Sequence, residues 1–127
     1  MEPSISVSVP ARPEFIYLFR TVVASVAGRL ELPFEVIQDM RLAVNEASAD
    51  LLSAGPTAST LSLRLVPGAD SLTVLIWTDA DVAEWPRAVG RDQLTWQILS
   101  SLTDEAKIVR LDGAPGIRLQ KRFSARG

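Results

Sequence analysis

The chain has 127 residues, a net charge of −2, and neither cysteine nor histidine. Disulfides, thiolate metal sites and thiol nucleophiles are therefore excluded, and so are the commonest general base, metal ligand and pH switch. Any chemistry must run on carboxylates, hydroxyls, Lys or Arg, or on a bound cofactor. The length suits a single domain spanning residues 1–127, which buries roughly 65–70% of its unfolded surface and needs no staple. No apolar run reaches the ~20 residues of a membrane span and no charged start leads into a signal-peptide core, so a cytoplasmic protein without membrane contact is expected.

Ser4 to Pro10 alternates polar and apolar residues, the period of a half-buried strand, and Pro10 ends it or marks a sheet edge. Pro13 suits the first turn of a helix. Phe15, Leu18, Phe19, Val22 and Val26 then form an amphipathic stripe, with Gly28 and Pro33 bracketing its end. A second helix is predicted from about Pro33 to Ala54, with Ile37, Met40, Val44, Ala47 and Leu51 as its apolar stripe and Gly55-Pro56 as its stop. On this helix Asp39, Glu46 and Asp50 are expected roughly opposite the stripe, with Leu42 between them. Carboxylates on a largely apolar helix are costly unless they face water, a partner or a ligand, so this helix should border a pocket or cleft.

Thr60–Val66 and Ser71–Trp77 read as a hairpin turning at Pro67–Asp70. Thr78 to Asp92 has no period and carries Pro86 and Gly90, which makes it a loop long enough to act as a lid or a partner-binding segment. Gln93 to Leu102 has helical spacing. Asp104–Leu111 and Gly116–Phe123 read as a last hairpin turning at residues 112–115. The four cations Arg118, Lys121, Arg122 and Arg126 read as a solvated strand edge rather than a phosphate track, so no direct nucleic-acid contact is expected. Consecutive hairpins with interspersed helices argue for an α+β fold: a two-layer α/β sandwich with a mixed, mostly antiparallel sheet and helices on one face.

Three islands in this order carry a resemblance: Leu42-Ala-Val-Asn-Glu-Ala, Trp96-Gln-Ile-Leu-Ser-Ser-Leu-Thr-Asp-Glu-Ala and Gly116-Ile-Arg-Leu-Gln-Lys-Arg. From about Arg12 to Arg122 the chain resembles the ATP-binding domain of the GHKL (histidine kinase-like, Bergerat-fold) superfamily. It is most similar to the anti-sigma regulatory factor and serine-protein kinase branch, in its divergent actinobacterial form. The resemblance implies Glu46 as the catalytic base and Asp50, where the family has Asn, as a substitute magnesium ligand. It further implies Asp79 as the adenine reader, Gly90 and Arg91 at the phosphates, and Gly116 in the closing motif. Several motif residues depart from the family's pattern. Asp81 and Ala83 stand where it has glycines, Asp92 follows the one glycine of the phosphate loop, and Ile117 replaces a threonine. The implied cofactor is ATP or ADP with magnesium, in an eroded pocket.

The implied partners are an alternative sigma factor, sequestered by the protein, and a STAS-domain anti-anti-sigma factor that releases it. The alternative is an active ATP-dependent serine kinase acting on that antagonist. Family members are commonly homodimers, and the strand Ser4–Val9 with the first helix is the expected self-association surface. Arg20 on the first helix is a candidate partner contact and Trp85, before Pro86, a candidate interface anchor. Trp77 and Trp96 are expected to fill the core.

Overall fold

The alternating segment near the N-terminus forms the strand β1 (Ile5–Pro10), and a short 3-10 turn at Pro13–Phe15 leads into the helix α1 (Ile16–Arg29). The helix α2 (Phe34–Leu52), the hairpin β2 (Thr60–Pro67) and β3 (Ser71–Thr78), the helix α3 (Gln93–Leu102) and the hairpin β4 (Glu105–Leu111) and β5 (Ala114–Arg122) follow. This computed structural model describes residues 3–53, 58–79, 93–111 and 113–123. Gly90, Arg91, Trp85 and the rest of the expected lid, and Arg126 in the tail, lie outside them.

The five strands make one sheet in the order β1-β2-β3-β5-β4, and all four pairings are antiparallel. The observed sheet is thus wholly antiparallel rather than mixed. β1 lies at one edge, as its proline suggested, and β4 at the other. Register places Val7, Leu63, Ile76, Ile117 and Ile108 in one cross-strand row, with Ile108 on the edge strand left exposed. Leu61, Leu65, Val74 and Leu119, all fully buried, extend this inner face. Burying each such side chain stabilises the fold by about 1.5–3 kcal/mol. Met40, Ala43, Val44, Ala47 and Leu51 of α2 complete the core, with Phe19, Val23 and Ala27 of α1. α2 is the central helix, packed between α1 and α3 and against β3 and β5. The result is the expected two-layer α/β sandwich.

Several local expectations are corrected. On α1 the fully buried line is Phe19, Val23 and Ala27 with Ile16 close behind, while Leu18, Val22 and Val26 are only half-buried on its flank. The helix ends at Arg29, between Gly28 and Pro33 as their bracketing positions suggested. The left-handed residue that closes it is Glu31, at φ 59°. Leu32 N–H donates to Ala27 O and Glu31 N–H to Gly28 O, the paired bonds of a Schellman cap in which Glu holds the position glycine usually takes. Trp77 does not fill the core. Its strand position faces away from the helices, and the Arg64 guanidinium lies 5.4 Å from its ring centre. The final turn is tighter than expected, because Ala114 and Pro115 already belong to β5 and Gly113 takes φ 82°.

Candidate functional site

The α2 carboxylates need the largest correction. They do not lie opposite the buried stripe but along its border, where helical spacing puts them beside Ala43. Asp50 is only 8% exposed, Glu46 and Asp39 are half-buried, and Leu42, expected among them, points to solvent at 55% exposure. Asp39 pairs with Lys121 Nζ at 3.5 Å, which ties the helix to the inner face of β5. Lys121 is therefore separated from Arg118 and Arg122, whose alternate positions face the other side of the sheet, and these three cations form no common stripe. Among the described residues no group of three or more Asp, Glu, His or Cys side chains is arranged to hold a metal ion.

Asp79 follows β3 directly and is exposed. Its carboxylate accepts the amides of Ser59 at 2.8 Å and Thr60 at 3.0 Å, together with the Ser59 hydroxyl. These bonds join the end of β3 to the start of β2. The Ser59 hydroxyl is the main reason that the Asp79 carboxyl lies below its ordinary pKa; desolvation opposes it, and the two amides reinforce it. A carboxylate offers about four lone-pair positions, and three are taken here within the chain. Ser59 was not anticipated. Nothing in the sequence marks it, because the contact spans 20 positions.

Gly116 sits opposite Trp77 in the register, on the sheet face away from the helices. A Cβ there would meet Ile76 O at 2.9 Å, Trp77 Cβ at 3.1 Å and Val109 Cγ2 at 3.3 Å. Close strand packing therefore accounts for this glycine. Trp96 is half-buried on α3 and its indole nitrogen is buried without a hydrogen-bond partner. With Gln97, Ser100 and Ser101 it lines a surface depression of about 610 Å³.

Arg20 lies at the seam of α1 and α2, where it donates to Asn45 Oδ1. Arg41, one turn before Asn45 on α2, donates to Gln38 Oε1 at 2.9 Å. The two arginines, Gln38, Leu42 and Asn45 line a notch of about 370 Å³. The sequence reading found Arg20 but not its neighbours. Their signal was available in the spacing of Gln38, Arg41, Leu42 and Asn45 along the polar side of α2.

No family model matches the chain. Over 104 residues, 82% of this chain and 60% of the relative, it is 28% identical to the anti-sigma-F factor RsbW of Mycobacterium tuberculosis. It is similar to proteins of the anti-sigma factor and serine-protein kinase kind. It also matches the serine-protein kinase RsbW of Bacillus subtilis, 28% identical over 80 residues, 61% of this chain and 50% of the relative. The serine-protein kinase RsbW of Listeria monocytogenes is 36% identical over 47 residues, 37% of this chain and 30% of the relative. The chain thus spans 60% or less of the length of these relatives.

Proposed function

We propose that the chain is an anti-sigma-type binding domain that sequesters an alternative sigma factor, is released by a STAS-domain antagonist, and carries a degenerate nucleotide pocket. The observation that carries the reading is the match to proteins named anti-sigma-F factor over 82% of the chain, on an antiparallel sheet with its helices in one layer. Holding a partner requires surface rather than chemistry, and this fits a chain without histidine or cysteine. Arg20 at the α1–α2 seam is the contact we assign first, and Trp85 the second. The edge strand β1, with Ile5 and Val7 half-buried, supports self-association through that edge.

The degenerate pocket is supported by the fit of the residues to the nucleotide. Asp79 would have to give up acceptor positions held by Ser59 and Thr60 before it could accept an adenine amino group. Asp50 adds a charge where the family places a neutral amide, and Gly116 has a packing reason of its own.

The second reading, an active serine kinase, is favoured by the matches to proteins named serine-protein kinase. In it Glu46 would take the proton of the serine hydroxyl and Asp50 would hold the magnesium, which prefers hard oxygen ligands. Asp79 would read the base, and Gly90 and Arg91 would meet the phosphates.

Calorimetric titration separates the two, using each purified sigma factor of the host and, separately, magnesium-ATP. A sigma factor bound with no heat from millimolar nucleotide is the expected result. Micromolar nucleotide binding lost in Asp79→Ala, with phosphate transfer to a STAS protein lost in Glu46→Ala, would replace the first reading by the second.

A further inference from the structure

The helices cover one face of the sheet, and the register settles which residues stand on the other. Arg64, Leu75, Arg118 and Lys107 lie directly opposite one another on β2, β3, β5 and β4. Trp77 shares this face with Leu75 on β3, and Arg122 shares it with Arg118 on β5, by strand alternation. The column of Leu75 and Trp77 is therefore flanked by Arg64 on one side and by Arg118 and Arg122 on the other. Both apolar residues are only half-buried.

The charge on this face is one-sided. Its strand positions carry the four cations Arg64, Lys107, Arg118 and Arg122 and one acid, Glu105, although the chain as a whole has a net charge of −2. Glu105 pairs with Lys107 at 3.1 Å and with Arg118. Among the described residues no acid pairs with Arg64 or Arg122. The Arg64 guanidinium rests 5.4 Å from the Trp77 ring centre and makes one long bond, 3.4 Å, to Ser6 Oγ. A cation held by a ring and a hydroxyl is oriented but not neutralised, and it keeps most of its five N–H donors. Tryptophan and arginine side by side are the residue types that dominate binding surfaces.

We propose that this open face docks an acidic amphipathic helix of a protein partner, adding a third layer to the sandwich. The partner's apolar stripe lies along Leu75 and Trp77. Its acidic flanks meet Arg64 on one side and Arg118 and Arg122 on the other. A helix presents one apolar stripe with charges on both flanks, as this column requires, whereas a strand turns a single file of side chains to the sheet. Arg118 and Arg122 are four positions apart on β5, about 13 Å, which matches acids about nine residues apart on a helix. A second copy of the chain is disfavoured, because it would set these cations against one another. The face lies across the sheet from the helices and their α1–α2 seam, so the inference goes beyond the sigma-factor reading and does not depend on it.

The test uses an acetylated, amidated helical peptide with Leu at heptad positions a and d and Glu at e and g. Its control is an isomer of the same composition with the glutamates moved to the far side of the helix. Each is titrated into the ¹⁵N,¹³C-labelled chain while the Trp indole N–H and Leu methyl signals are followed, with Trp77→Phe assigning the indole. The Glu-flanked peptide is expected to shift Trp77 and Leu75, with affinity lowered at least tenfold in Arg64→Gln and in Arg122→Gln. Both positions are exposed, so the melting temperature should stay close to that of the wild type. Arg64→Glu should reject this peptide and accept one carrying Lys on that single flank, an exchange that no folding defect imitates. Equal binding of the isomer, shifts centred elsewhere, or failure of the charge exchange would overturn the proposal. So would the same signals moving with protein concentration alone, which would make the occupant a second copy. Trp77 shifting with anionic vesicles or a single-stranded oligonucleotide but not with the peptide would replace the helix by a lipid surface or a nucleic acid.

Discussion

Gly116 offers a direct test of whether a motif glycine serves a ligand or the sheet. Its backbone is not in the left-handed region, which among the described glycines is confined to Gly113, so alanine suits its dihedral angles. Its cost is therefore steric. The added Cβ would lie 2.9 Å from Ile76 O and 3.1 Å from Trp77 Cβ. Both neighbours belong to the rigid part of β3, and neither can swing aside as a flexible side-chain tip would. Overpacking of this kind costs about 1–3 kcal/mol. The restricted unfolded chain returns about 0.4–1 kcal/mol of it. Gly116→Ala should thus lose about 1–2 kcal/mol. With a urea slope of about 1–3 kcal/mol per molar, the denaturation midpoint should fall by about 0.5–1 M. Val109→Ala should not rescue the variant, because it relieves only the 3.3 Å contact and leaves the backbone one. An unchanged or raised midpoint would refute the reasoning. If nucleotide affinity also fell in that variant, the glycine would belong to a binding pocket after all.

Three further predictions follow from the same geometry. Glu31→Gly should raise stability by about 0.5–1 kcal/mol in urea denaturation, since glycine removes the left-handed strain at φ 59° while the Schellman bonds remain. Ser48→Ala should stabilise by about 1 kcal/mol, because its fully buried hydroxyl has no partner and alanine favours the helix; a midpoint that drops would reveal a bond to that hydroxyl. The folded-state pKa of Asp79 is lowered, so its contribution is present above the unfolded value and lost as pH falls through the folded one. Asp79→Asn should accordingly cost about 1 kcal/mol at pH 7, discounted for exposure, and little below pH ~2. A pH-independent difference would show that the charge is not what Ser59 and Thr60 hold.

The architecture was legible because its determinants are local. Period-two alternation in Ser4–Pro10 and Thr60–Val66, three-and-four spacing on α2, and Pro or Gly at the breaks are short-range signals that set each element's type. Two hairpins and interspersed helices then leave few arrangements besides a sheet with one helical layer. Residue chemistry was also fixed by composition, since a chain without histidine or cysteine has only carboxylates, hydroxyls and cations to work with.

What each charged residue does was decided by the tertiary structure. Spacing alone put Asp39, Glu46 and Asp50 together but on the wrong side of the helix, because α2 is central and packed on α1, α3 and the sheet, so its buried arc is wider than one stripe. Trp77 read as core because its strand becomes continuously apolar from Val74 onward; only the register showed that alternate residues of β3 face away from the helices, where Arg64 lies over the indole. The Asp79 contact to Ser59 and the Arg20 contact to Asn45 cross 20 and 25 positions of chain. Periodicity reports which face a residue occupies on its own element. Which donor finds which acceptor depends on how separate elements come together, and that is settled only when the whole core packs.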